Sequence, residues 1–353
     1  MVEKMDMRPM HLPAELGALA AAWTESLPGS FEMSAERLAG YLTGDPNFDP
    51  EGCIGAFTPG GELAGFVIGK RWRIPNHDMA NDDAIQWTRD GTGGIGMICV
   101  RPGFQRKGIG KQLMAAIESF FVKNGVMVIS IGREPGRHFL PGVPQPLEDR
   151  LEFFDKCGYR HGFESAIDIM ADISGIDAIL ERNRKLRDKI AANRVDGYDV
   201  IPYEPALERD LLEFMRAAFP GKWYWTVACH VNAHQVPRDE LQLLVHRQGE
   251  KVQVLGFAKT ATQAGIDLGP ATLVQSRGSA DFGGLGPIGI ASEIRGHRGL
   301  GAMLLHYALV NLHRKGVNKV LIDWTSHGLL DRYYGPAGFS HYMTYISVKK
   351  ELE

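Results

Sequence analysis

Two glycine turns carry the residue types and spacing that hold a bulky anion. The first reads Val100-Arg101-Pro102-Gly103-Phe104-Gln105-Arg106-Lys107-Gly108-Ile109-Gly110-Lys111. The second reads Ile290-Ala291-Ser292-Glu293-Ile294-Arg295-Gly296-His297-Arg298-Gly299-Leu300-Gly301. Each follows an apolar, strand-like run and opens an amphipathic helix. A strand that turns on glycine into a helix leaves backbone N–H groups unpaired and pointing outward. Those groups and the helix dipole favour a phosphate or pyrophosphate. Arg106, Lys107 and Lys111 add positive charge in the first copy, and His297 and Arg298 do so in part in the second. The pattern is not a P-loop, because the Gly-Lys-Ser/Thr ending is missing. It is not the dinucleotide fingerprint either, since Gly108-Ile109-Gly110 is followed by Lys-Gln-Leu.

The turns belong to a larger repeat, and a repeat decides the architecture before any single element does. Each helix is followed by a Gly-Val pair, Gly125-Val126 or Gly316-Val317, and then by another apolar strand. Each unit ends in an aromatic closure, Phe154-Asp155-Lys156-Cys157-Gly158-Tyr159 or Tyr334-Gly335-Pro336-Ala337-Gly338-Phe339. Gly108 and Gly299 are 191 positions apart, and Gly158 and Gly338 are 180 apart. The difference is one longer loop in the first copy, Gly132–Pro144.

The elements around the turns follow from periodicity and turn residues. In the first half we expect helices over Leu12–Leu27, Ser34–Leu42 and Gly108–Asn124. A hairpin is expected over Cys53–Phe57 and Leu63–Arg71, strands over Gly94–Val100 and Val126–Ile131, a helix over Leu147–Cys157 and a closing strand over Ser165–Ile173. In the second half the expected strands are Asp199–Tyr203, Gln242–His246, Val252–Thr260, Gly286–Ala291, Lys319–Thr325 and Tyr342–Lys349. The expected helices there are Leu207–Ala218, Gly299–Lys315 and Leu329–Tyr334. Ile176–Ala192 mixes both signs of charge and reads as a solvated helical connector. The division is 1–173, a linker 174–196, and 197–353. The class is α/β (α+β), with a mixed sheet in each half.

Composition sets limits. The chain has 353 residues, 44% hydrophobic and 23% charged, which is ordinary for globular domains. A net charge of −3 and the lack of a basic tract argue against bulk nucleic-acid binding. The cysteines Cys53, Cys99, Cys157 and Cys229 have no metal-type spacing, and the apolar contexts of Cys53 and Cys99 read as reduced core thiols. No signal peptide or long apolar run stands out, so a cytoplasmic location without membrane attachment is the expectation. No metal is expected.

Gln105-Arg106-Lys107-Gly108-Ile109-Gly110 resembles the (Gln/Arg)-x-x-Gly-x-(Gly/Ala) signature of the GNAT superfamily of N-acetyltransferases, and Tyr334 to Phe339 is similar to its Tyr-x-x-x-Gly-Phe closure. The repeat makes the chain look like a tandem GNAT protein. The resemblance implies two GNAT-like domains, each a mixed, mostly antiparallel sheet with splayed central strands flanked by helices. It implies acetyl-CoA as co-substrate, with pantetheine paired to the fourth strand at Ile98 and Val100, or Ile288 and Ile290. Pyrophosphate would sit on Gln105, Arg106, Lys107, Gly108, Ile109, Gly110 and Lys111, or on His297, Arg298, Gly299, Leu300 and Gly301. The acceptor would be a primary amine of a small molecule, such as an amino sugar, an aminoglycoside-like molecule or a polyamine. The amine would attack the thioester directly.

The copies depart from the family differently. The second has Gly296 where Gln/Arg is expected, with Arg295 one position early. The first has Phe154 where many members carry the tyrosine that protonates the leaving thiolate. Tyr334 is therefore the candidate acid, against a reading in which it packs in the core and Tyr333 is the exposed ring. No base is singled out among Asp323, His327 and His138, and Arg133 can meet an anionic acceptor group. The acidic loop Asn76–Asp83 can attract a cationic amine or be plain surface. The run Phe219-Pro220-Gly221-Lys222-Trp223-Tyr224-Trp225 can border the acceptor or fill the core. Only one half need be catalytic. The rival readings are a non-catalytic acyl-CoA-binding or sensor protein and, less favoured by the charge, a transferase using charged transfer RNA.

Overall fold

The computed structural model describes residues 5–27, 31, 33–45, 47–73, 91–162, 166–177, 181, 184–232, 238–263, 281–296 and 299–352. The strands are β1 (Asp6–Pro9), β2 (Cys53–Phe57), β3 (Leu63–Arg71), β4 (Thr92–Val100), β5 (Val128–Ile131), β6 (Val143–Pro144), β7 (Arg160–His161) and β8 (Ala166–Asp172). They continue with β9 (Tyr198–Pro202), β10 (Leu241–Gln248), β11 (Lys251–Ala261), β12 (Phe282–Ile290), β13 (Lys319–Thr325), β14 (Ser340–Ile346) and β15 (Val348–Glu351). They form two sheets, ordered β1-β2-β3-β4-β5-β15-β7 and β6-β14-β8-β13-β12-β11-β10-β9.

Both sheets are mixed. Among the described strands, only β4–β5 and β12–β13 run parallel, and every other pair is antiparallel. Helices cover both faces of the first sheet. Leu16–Ser26 (α1) and Ala35–Leu42 (α2) bury Leu19, Trp23, Leu38 and Tyr41 against Phe66 and Phe139. Ile109–Lys123 (α3) buries Leu113, Ile117 and Phe121 against Val67, Ile95 and Ile129 on the other side. This is why β2 and β3 are apolar on both faces rather than alternating. The second sheet repeats the arrangement with Glu208–Ala218 and Leu300–Arg314.

The Gly-Val pairs stop the two long helices in the same way. Gly125 (φ 73°) and Gly316 (φ 85°) take the left-handed position. Val126 N–H then donates to Phe121 O at 3.0 Å, and Val317 N–H to Leu312 O at 3.1 Å. These are Schellman caps, in which glycine adopts the conformation that other residues resist.

The units exchange strands, which corrects two expectations. The strand expected to close the first half, here Ala166–Asp172, lies in the second sheet between β13 and β14. The expected final strand Tyr342–Lys349 is two strands. β14 stays in the second sheet, while β15 crosses at buried Ser347 to lie between β5 and β7 of the first. The divisions 1–173 and 197–353 thus cut across both sheets. The connector helix Arg184–Val195 is exposed along most of its length, as a solvated connector should be. It buries Asn193 to 2% exposure and packs Ile190 on the second core.

Candidate functional site

The first glycine turn is held by its own side chains. Gln105 Nε2 donates to Val100 O at 2.9 Å, and Lys107 Nζ to Gly103 O at 3.1 Å. Gly108, at φ 78°, precedes α3 with no side-chain cap, so the first-turn N–H groups are left for a ligand. Ile109 is buried and offers only its main chain. Arg106 and Lys111 are exposed beside the turn.

Next to the loop the sheet opens. β4 and β5 pair from Thr92↔Val128 to Ile95↔Ile131 and then part. Arg101 N–H reaches Ala64 O on the β3 side, so strand alternation turns the main chains of Ile98 and Val100 toward the gap. Val100 O is already taken by Gln105, leaving its N–H for a partner. A cavity of about 630 Å³ runs through this gap, lined among others by Ile98, Val100, Gly108, Gly110, Ile131 and Phe153.

The second copy repeats the plan with one shift. β12 and β13 pair from Phe282↔Lys319 to Gly284↔Leu321 and then part, with Ile288 and Ile290 beyond the split. Gly299, at φ 70°, precedes the helix Leu300–Arg314. Arg295 Nε donates to Ile290 O at 3.2 Å, across the same five-residue span that Gln105 bridges. Arg295, one position early in the motif, thus does the work of Gln105. His297 and Arg298 lie outside the described residues, as does the acidic loop Asn76–Asp83. Leu300 is buried, and a Cβ on Gly299 would lie 3.3 Å from Lys189 Cδ of the connecting helix.

The aromatic pairs have divided roles. Tyr333 OH donates to Gly301 O at 2.7 Å, and Phe153 covers Gly110 in the first copy. These first rings brace the start of each helix. Tyr334 buries its ring against Phe339 at 5.7 Å, and its hydroxyl makes no hydrogen bond among the described residues. Burial, and then the charge of Asp323, push its pKa up to about 12, so it keeps its proton at neutral pH. Phe154 fills the matching place in the first copy and has no proton to give.

Charged groups from both units meet at the seam. Asp323 lies on β13 where the second gap begins, and a Cβ on Gly286 of β12 would lie 3.6 Å from its Oδ1. Its Oδ2 is 3.1 Å from His138 Nε2, which the longer loop of the first copy carries across. His138 Nδ1 meets Lys222 Nζ, and the imidazole edge packs on Trp324 at 5.0 Å. Lys222 and Arg133 stand about the same indole, at 5.0 and 5.1 Å from its centroid. Arg133 (φ 58°), just after β5, and Trp324 (φ 49°), within β13 beyond the split, adopt the left-handed conformation, which is strained for such side chains.

Burial and then Lys222 lower the His138 pKa to about 4, so the ring is neutral. Burial also lowers Lys222 to about 8. Burial alone would raise Asp323, but His138 and Lys222 hold it below the usual carboxylate range.

The same place in the first copy is built differently. Gly132 stands where the second copy has Asp323, and the chain doubles back through Glu134. A Cβ on Gly94 would come within 2.5 Å of Glu134 Cα, and one on Gly96 within 2.2 Å of Tyr41 OH. Glu134 accepts hydrogen bonds from Tyr41 OH and Phe139 N–H. Beside it, buried Lys70 donates to Asp45 Oδ2 at 2.9 Å, Tyr41 O at 3.0 Å and Arg137 O at 2.8 Å. These contacts brace the vertex from behind with buried side chains, while Gly96, Ile131 and Gly132 still line the cavity.

Two candidates from the sequence lie elsewhere. His327 is exposed and stacks on His341, away from the gap. In the run Phe219–Trp225, Phe219 packs over Gly289 of β12 and against Phe257, Tyr224 is half-buried on the same core, and Trp223 is exposed. The residue of this run that reaches the seam is Lys222, which sequence reasoning did not single out. A lysine inside an aromatic run was the available signal.

Residues 18–139 match the model of the acetyltransferase (GNAT) family. That match covers about a third of the chain, and the chain as a whole has the tandem GNAT fold. Among solved structures it is similar to a GCN5-related glucosamine N-acetyltransferase region of a fungal multi-domain GH3 beta-N-acetylglucosaminidase, at 20% identity and a TM-score of 0.76. The match covers 98% of this chain but only 38% of that one. A GCN5-related N-acetyltransferase from Sphaerobacter thermophilus matches at 16% identity and TM-score 0.64, covering 98% and 95% of the two chains. A tandem GNAT protein from the clavulanic acid biosynthesis pathway matches at 16% and 0.61, covering 99% and 98%. At these identities the structures establish the GNAT fold. No curated protein matches the chain in sequence.

Proposed function

We propose that the chain is an acetyl-CoA-dependent N-acetyltransferase that acylates a primary amine of a small molecule. The observation that carries this is the cavity of about 630 Å³ leading from an uncapped helix start into a split between parallel strands. A pyrophosphate suits the first end and a pantetheine arm the second, with Ile98 and Val100 main chain along its path.

The chemistry is assigned to the second unit. There the split is lined by Asp323 and His138, and Tyr334 keeps an unengaged hydroxyl nearby. An amine held by Asp323 would attack the thioester carbonyl, forming the C–N bond as the C–S bond breaks. Tyr334 would protonate the departing thiolate. The amine would lose its proton toward the Asp323–His138 pair. The first unit, with Phe154 in the place of Tyr334 and its vertex braced by Glu134 and Tyr41, fits a donor-binding role without transfer. The fungal neighbour is a glucosamine N-acetyltransferase region, which makes amino sugars the first acceptors to try; polyamines and aminoglycoside-like amines follow.

The test is thiol release from acetyl-CoA across a panel of such amines. At least one should be turned over by the wild type and much more slowly by Tyr334→Phe. Tight acetyl-CoA binding with no turnover on any amine would favour the non-catalytic, acyl-CoA-sensing alternative.

A further inference from the structure

Lys222 opens the helix Lys222–Asn232 directly after Gly221, whose left-handed turn (φ 89°) aims the helix start at the seam. Its amine is not left to water. It meets His138 Nδ1, while the other ring nitrogen lies 3.1 Å from Asp323 Oδ2. The second oxygen of Asp323 faces the gap at Gly286. This is a nucleophile in contact with a base, and the base is oriented by a carboxylate. The order matches the arrangement that activates hydroxyl and thiol nucleophiles, with an amine in their place.

We propose that Lys222 is itself an acetyl acceptor, modified on Nζ by acetyl-CoA bound in the second unit. The inference rests on the reading that the β12–β13 gap takes the thioester. The neutral Nζ attacks the carbonyl carbon, a C–N bond forms and the C–S bond breaks. Coenzyme A leaves as thiolate and takes a proton from Tyr334. The surplus proton on nitrogen passes to His138 Nδ1, and Asp323 holds the resulting imidazolium through Nε2. The product is acetyl-lysine and free coenzyme A, with no other reactant needed.

The surroundings suit a neutral amine. Besides His138 and Asp323, the charged groups acting on Lys222 are Glu134, Asp45 and Lys70 of the first unit. Burial outweighs the acids among them, so the amine loses its proton near pH 8 rather than near its usual 10.5. Acetylation would remove a cation that Glu134 and Asp323 share across the seam.

The experiment is to incubate the full chain with acetyl-CoA alone, then read intact mass and map the modified peptide. We expect one acetyl group on Lys222, forming faster as pH rises through about 8. It should be absent in Gly299→Trp and slowed about a hundredfold in His138→Gln and in Asp323→Asn. The two variants check one another if either folds poorly, and melting curves report which. Acetyl-CoA that binds by calorimetry but leaves Lys222 unmodified would overturn the lysine proposal and spare the transferase reading. So would labelling at the wild-type rate in both variants. A wild type that binds no acetyl-CoA would remove the reading beneath it.

Discussion

His138 Nε2 and Asp323 Oδ2 stand 3.1 Å apart, one from each half of the chain. The first unit's longer loop thus completes the polar lining of the second unit's strand split. Removing either partner should slow amine acetylation without abolishing donor binding. For His138→Gln and Asp323→Asn we expect kcat/KM to fall about a hundredfold or more with the Kd for acetyl-CoA nearly unchanged. Steady-state kinetics beside calorimetry checks this; a parallel loss of donor affinity would make the pair part of the donor site instead.

Tyr334→Phe removes a proton donor and keeps the ring that packs on Phe339. Its kcat should drop by roughly ten- to a thousandfold while the melting temperature stays within a few degrees. Tyr333→Phe should behave in the opposite way, because Tyr333 OH fixes Gly301 O rather than facing the reaction. Donor affinity should weaken there with little change in kcat. Equal kinetic effects from both substitutions would contradict the division of labour.

The pH dependence of stability has a defined sign. Burial, and then the Asp323 charge, raise buried Asp168 to about 8, against hydrogen bonds from Tyr345 OH and Trp324 N–H. Between about pH 4 and 8 the folded chain holds a proton there that the unfolded chain has lost, so this group makes stability fall as pH rises. His138, lowered to about 4, acts the other way, since only the unfolded chain binds its proton between about pH 4 and 6.5. The two slopes oppose one another below about 6.5, and a net decline should appear between about 6.5 and 8. Its limit is about 1.4 kcal/mol per pH unit. Urea unfolding at several pH values checks this. Asp168→Asn should remove the decline, and His138→Gln should extend it to lower pH.

Lys70 and Asp45 are both fully buried, so one cannot be lost cheaply without the other. Asp45→Ala should destabilise by about 3–5 kcal/mol, because it leaves a buried ammonium short of its counter-charge. Asp45→Asn with Lys70→Met should recover much of that. Denaturant titration of the single and double variants decides it, and equal losses would mean that the pair does not act as a unit.

The exchange of β8 and β15 predicts shared stability. Deleting residues 348–353 should strip hydrogen-exchange protection from β5 and β7 in the first sheet, although the deletion is at the far end of the chain. Loss confined to the second sheet would contradict the pairing.

The sequence was legible where the physics is local. Gly108 and Gly299, the Gly125 and Gly316 stops, and the burial of Leu113 and Ile117 along α3 all follow from spacing and from the left-handed conformation that glycine tolerates. Partner choice in the sheets was not legible. Ala166–Asp172 and Val348–Glu351 read as strands in either sheet, and only long-range packing decides which edge each one completes. The seam cluster was hidden for the same reason. His138 and Asp323 were each visible as candidates, but nothing near either residue in the chain points to the other. Lys222 sat in a run whose aromatic neighbours suited an acceptor border and a core equally well.

The most direct measurement is calorimetric titration of acetyl-CoA into wild type, Gly108→Trp and Gly299→Trp, with thiol release on an amine panel measured for each. An indole at either position would block the turn and strain a left-handed residue, so circular dichroism must first show both variants folded. The account predicts that the wild type binds acetyl-CoA, that Gly108→Trp loses binding in the first cavity but still transfers, and that Gly299→Trp loses transfer. Transfer at the wild-type rate in Gly299→Trp would contradict placing the chemistry in the second unit, and a wild type that binds no acetyl-CoA would contradict the acetyltransferase reading itself.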